Sequence, residues 1–92
     1  MYLREVRKIV ERGWTKHKMY DQERQNFCLL GAFSRVGRGQ NGIVFNDVQI
    51  VRKVIQQNTR YAQIVSFNDA KETTKEDILL MLDKAIAETG EL

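Results

Sequence analysis

Apolar residues recur at intervals of three and four in four separate stretches of this chain, and that spacing constrains its fold more than any other feature. Leu3, Val6, Ile9 and Val10 form the first set. Leu29, Ala32, Phe33 and Val36 form the second, and Val48, Val51, Val54 and Ile55 the third. Ile78, Leu79, Leu82, Ala85 and Ile86 form the fourth. Each set makes one stripe on a helix of 3.6 residues per turn, with polar residues on the other faces. With 92 residues, the chain is expected to fold as a single compact domain, 1–92, around one core.

Local signals set the expected boundaries. The first helix should run from about Tyr2 to Arg12, with Gly13 ending it in a left-handed conformation. Aromatic and β-tolerant residues around Trp14, Met19, Tyr20 and Phe27, with the polar run Asp21 to Asn26 between them, suggest a short hairpin. Its strands are expected near 14–20 and 26–28, an unpaired polar loop being the competing reading. A compact helix should cover Cys28 to Val36. Gly31 inside it costs about 1 kcal/mol against Ala, so another element should approach closely there. Gly37 to Gly42 reads as a flexible loop. Asn46 or Asp47 would cap a third helix over roughly 47–58, closed by Asn58. Tyr61 to Phe67 fits either a helical turn or an extended piece, and Asn68-Asp69 a turn. Thr73-x-x-Glu76 and Thr74-x-x-Asp77 are overlapping capping-box patterns before a last helix over about 75–89, which Gly90 stops. The expected fold is mainly α, of α+β type: about four helices with a short β-hairpin after helix 1. Trp14, Cys28, Gly31, Phe67 and the last helix should meet in the core.

The order of several landmarks resembles a family of small uncharacterised proteins from actinobacteria and bacteriophages. The landmarks are Gly13-Trp14-Thr15, Phe27-Cys28-Leu29-Leu30-Gly31-Ala32, Val65-Ser66-Phe67-Asn68-Asp69 and Leu82-Asp83-Lys84-Ala85-Ile86. They match G-W-T, C-x-x-G-A, W-N-D and L-D-x-A patterns along nearly the whole chain. Phe67 stands where the family usually has Trp, and residues 33–63 show no clear match. The resemblance implies a common fold and a phage or bacterial cytoplasmic origin, and no activity.

Chemistry-bearing residues are few. Cys28, His17 and Asp69 or Asn68 could form a thiol triad, since a base near the sulfur and an orienting group behind it are what nucleophilic catalysis needs. A small core thiol explains Cys28 better. Asn68 and Asp69 are expected to bond nearby backbone, the alternative being exposure for a partner or metal. One His and one carboxylate are too few for a metal site. Gly37-x-Gly39-x-x-Gly42 matches a dinucleotide fingerprint as a string, but it follows a helix where the chemistry needs a preceding strand. No catalytic set, metal or cofactor is therefore expected. The lone Cys and a charged N-terminus unlike a signal peptide point to the cytoplasm. No apolar run suits a membrane.

Charge supplies the remaining clue. Residues 1–46 hold nine Lys/Arg and four acids, whereas 47–92 hold six and eight. Arg4, Lys8 and Arg12 form a stripe on the first helix, and Arg35 and Arg38 sit at the Gly-rich loop. These five are the candidate partner-binding residues. The expected function is a small non-catalytic protein-binding or regulatory module, of the phage-encoded kind that acts on a host protein. The alternative is a nucleic-acid-binding accessory protein using the basic first helix. Homodimerisation is left open.

Overall fold

A computed structural model describes residues 2–38 and 41–90, with backbone alone at 41–43. The first apolar stripe forms helix α1, Leu3–Arg12, which buries Leu3, Val6 and Val10. Its own N-cap residue, Tyr2, offers no side-chain bond. Asp47 supplies one from a distant helix, its Oδ2 accepting from the Tyr2 amide at 2.6 Å. A carboxylate at the positive end of a helix dipole stabilises the unsatisfied amides there. Gly13 ends α1 in an extended conformation, φ 176°, and not in the expected left-handed one. The chain turns straight into a strand-like segment: Phe27 donates to the Gly13 carbonyl, and Thr15 donates to that of Phe27.

The hairpin is shorter than the sequence suggests. Strand β1, Tyr20–Asp21, pairs antiparallel with β2, Asn26–Phe27. Trp14 adds a parallel bridge to the other edge of Phe27. His17 breaks the expected first strand because it adopts φ 68° and sends its amide to Asp69 instead of to a ladder. Asp21 closes the turn by accepting from the Glu23 amide, and the Tyr20 and Phe27 rings pack 4.7 Å apart.

Helix α2, Leu29–Val36, starts at Cys28, whose thiol accepts from the Gly31 amide as a side-chain cap. Helix α3 spans Asn41–Asn58 and begins six residues before the expected start at 47. Asn46 and Asp47 therefore lie inside it and do not cap it. Gly42 is helical as well, so the last two residues of the expected loop belong to α3, while Gly39 lies outside the described residues. The signal for the early start is Val44, which extends the Val48 and Val51 stripe and is buried. Tyr61–Phe67, open between two readings, supplies most of helix α4, Ile64–Asp69. Asn68 and Asp69 complete α4 and are not a turn. Helix α5, Lys75–Thr89, matches its expected limits. Thr74 and Asp77 form the reciprocal capping box, and Gly90 ends the helix at φ 70°. Thr73 is buried instead of capping.

Five helices among the described residues thus accompany the hairpin, the fifth being the short α4. One hydrophobic cluster draws on all five, with Leu3, Phe33, Val51, Phe67 and Leu82 among its members. Helix α5 packs chiefly on α1 and α3. Trp14 leans against this cluster. Cys28 and Gly31 are covered by the hairpin instead, where the Met19 carbonyl lies over Gly31.

Candidate functional site

The motif residues converge on Asn68. Its side chain is almost wholly enclosed. Its Oδ1 accepts from the Trp14 indole at 2.7 Å and from the Leu29 amide at 3.0 Å. Its Nδ2 donates to the Thr15 carbonyl at 3.2 Å and to Asp69 Oδ1 at 2.9 Å. One amide thereby joins the Gly13-Trp14-Thr15 segment, the start of α2 and the end of α4. Every hydrogen-bonding position of a carboxamide is in use, so Asn68 has nothing left to offer a partner. Asp69 accepts from the His17 amide at 2.9 Å, with His17 Nδ1 3.8 Å from its other oxygen. Burial works against its charge, but the His17 amide and the Asn68 side chain outweigh that and hold the carboxyl below the usual range.

His17, Cys28, Asn68 and Asp69 do border one small cavity of about 130 Å³. Cys28 is buried there, and its thiol serves as the α2 cap. The cluster therefore has a structural account. Phe67 packs in the core, its ring 6.1 Å from Tyr61. The fourth motif is structural as well: Leu82 and Ala85 are fully buried, and Asp83 accepts from Arg7 Nε at 2.6 Å.

The partner-binding candidates gather elsewhere. Lys8 and Arg12, one turn apart on α1, face Arg35 and Arg38 at the end of α2 across a cleft of about 530 Å³. Tyr2, Ile9, Phe27 and Val36 supply apolar walls, and Glu5 is the acid among the lining residues. Arg4 does not border it. None of these four bases holds an ion pair among the described residues, whereas Arg7, on another face of α1, is engaged by Asp83 and Glu11. Arg35 sits on α2 itself and Arg38 just beyond it.

Phe27, Arg35 and Arg38 also border a second, larger depression of about 1140 Å³ between the hairpin, α2 and the first turns of α3. Its walls are mostly apolar: Met19, Tyr20, Leu30, Phe33, Val44, Phe45 and Val48. Met19, Tyr20 and Phe45 are 48%, 43% and 62% exposed. Sequence reasoning misses this groove, because Phe45 lies outside the helix expected over 47–58. The early start of α3 is what turns it toward the hairpin.

Fold and site together define a small helical domain whose motif residues build the scaffold and whose basic cleft opens into an apolar groove. Over residues 1–88 the chain matches the model of DUF6197, a family of unknown function, and it belongs to that family. No curated protein and no solved structure matches it. Among the described residues, no helix is long and apolar enough to cross a membrane.

Proposed function

We propose that this protein is a non-catalytic binding module that seats a segment of another protein in the groove between the hairpin, α2 and α3. The observation that carries this reading is the cluster of large apolar side chains left open there, with Phe45 62% exposed on a helix whose Val44, Val51, Val54 and Ile55 are buried. Contiguous apolar surface costs free energy in water and marks interaction sites when it is concave and rimmed by polar groups. The thiol's use as a helix cap supports a non-catalytic role, since it leaves the sulfur enclosed. The family resemblance favours an accessory protein of the kind that phages and bacteria encode, acting in the cytoplasm on a host or phage protein.

The test is crosslinked retrieval by a tagged copy from its own cells. The parent should bring down one stoichiometric protein, and Phe45→Glu should lose it while melting like the parent. Retrieval of the same set by both, or of chaperones alone, would remove the basis for this reading.

A second reading, nucleic-acid binding, rests on the four basic side chains of the cleft, which hold no ion pair among the described residues. It requires affinity that falls steeply with salt and is lost in the Lys8→Ala, Arg12→Ala variant.

A further inference from the structure

We infer that the segment seated in the groove is acidic on one flank, and that Lys8, Arg12, Arg35 and Arg38 receive that flank. This inference rests on the groove reading above and names the chemistry of its occupant. Three observations support it.

The groove and the basic cleft are continuous, because Phe27, Arg35 and Arg38 line both. An extended or helical segment leaving the groove past Arg35 passes directly into the cleft. The cleft also brings four positive side chains together against one carboxylate, Glu5, and gives them no internal partners among the described residues. Like charges gathered in a depression with apolar walls reinforce one another's field, and an incoming carboxylate relieves that repulsion. Finally, this positive surface is not a by-product of holding the helix in place. Arg7 does that work on another face of α1, through Asp83 and Glu11. Lys16 does the same for the following loop, through the Ala70 carbonyl.

A single-stranded nucleic acid is the poorer fit. It needs free aromatic faces beside the basic track. Here Tyr20 and Phe27 lie against each other at 4.7 Å, Tyr2 in the cleft is packed on the core, and the open ring, Phe45, lines the groove and not the basic cleft. Around Phe45 the groove offers the aliphatic and thioether surface of Met19, Leu30, Val44 and Val48, which suits Leu, Ile, Met or Phe side chains better than a run of stacked bases. Electrostatic complementarity of this kind governs partner choice and association rate more than final affinity.

The experiment is selection of a random-sequence peptide library against the intact chain at low salt. Recovered peptides are then measured by fluorescence polarisation on the parent, Phe45→Glu, and the double variant Arg12→Glu, Arg35→Glu. All three substituted positions are exposed, and thermal melts confirm that each variant is folded. The expected result is peptides that pair apolar residues with Asp or Glu on one side. They should weaken about tenfold or more in the double variant and at high salt, and lose binding in Phe45→Glu. Apolar peptides without acidic enrichment, bound equally by the double variant but lost in Phe45→Glu, would overturn this inference and leave the groove reading standing. Recovery of no peptide would overturn both. Mixed-sequence oligonucleotides that bind the parent more tightly than any peptide, and are lost in the double variant but not in Phe45→Glu, would also overturn both.

Discussion

Replacing Gly31 with alanine should destabilise this domain, although the same change in an ordinary helix interior stabilises by about 1 kcal/mol. A Cβ at position 31 would fall 2.0 Å from the Met19 carbonyl oxygen and 2.9 Å from its carbon, both backbone atoms. No rotamer relieves that overlap, so the hairpin must retreat by about 1 Å to reach even the closest real approach of 3.0 Å. The Met19 carbonyl also accepts from the Cys28 amide at 3.2 Å, and that bond stretches as the hairpin moves. Loss of a partner for the amide of a buried residue costs about 1–3 kcal/mol. Overpacking by one methyl costs a similar about 1–3 kcal/mol. Against the propensity gain, the net loss is about 1–5 kcal/mol, from a total stability of about 5–10 kcal/mol for a chain this size. At about 4–8 °C per kcal/mol, the melting temperature should fall by about 4 °C at the least and by up to about 40 °C. Far-UV circular dichroism melts measure it directly. Ser34→Ala, an exposed site in the same helix, provides the control and should leave the melting temperature level or slightly higher. An unchanged or raised melting temperature for Gly31→Ala would show that Met19 does not press on α2.

Three further outcomes are expected. Asn68→Ala strips the acceptor from the Trp14 indole and from the fully buried Leu29 amide. It should cost about 2–5 kcal/mol, read from urea titrations followed by the fluorescence of Trp14, and a loss well under about 1 kcal/mol would contradict the clasp. Asp69 has its carboxyl held below the ordinary value, so its stabilising contribution is complete above about pH 4 and disappears as pH falls through the lowered native value. Melting temperatures measured down to about pH 2 should therefore drop more steeply for the parent than for Asp69→Asn, and parallel curves would refute the assignment. Cys28 should react with iodoacetamide far more slowly in the folded protein than in urea, because its sulfur is enclosed and bonded to the Gly31 amide. Equal rates would place the thiol at the surface.

Most motif residues lie away from the candidate binding surface, which Phe27, Leu30 and Gly31 of the second motif nonetheless line, and this bears on how the family can be studied. Gly13, Trp14, Cys28, Gly31, Asn68 and Asp69 are occupied with one another or with nearby backbone. Variants at these positions report on folding. Met19, Phe45, Arg12 and Arg35 are exposed, and their side chains make no hydrogen bond or ion pair among the described residues, so substitutions there test binding.

Much of this fold was legible because local rules and tertiary packing agreed. Apolar spacing located α1, α2 and α5, since a helix with one apolar stripe has one way to bury it. Thr74, Asp77 and Gly90 fixed both ends of α5 through bonds made within a few residues. The failures share a different cause. Gly13 has no local reason to be extended; it is so because the Phe27 amide pairs with its carbonyl. His17 leaves its strand because Asp69, 52 residues away, accepts its amide. Asp47 looked like a cap for its own helix and caps α1 instead, across 45 residues. The direction of Asn68 was equally hidden, since an Asn near an Asp reads as a turn until Trp14 and Leu29 are brought to it.

The candidate site divides the same way. The sequence alone determined that Lys8 and Arg12 share a helical stripe and that Gly31 must meet another element, because helix geometry places residues four apart together and a mid-helix glycine needs compensation. Only the tertiary structure decided that Arg35 and Arg38 close the other side of that stripe, and that Phe45 stands open beside Met19 and Tyr20. Those juxtapositions depend on how α1, α2, α3 and the hairpin cross. The crossing is set by the summed burial of many side chains in one core, and no short stretch of sequence carries that sum.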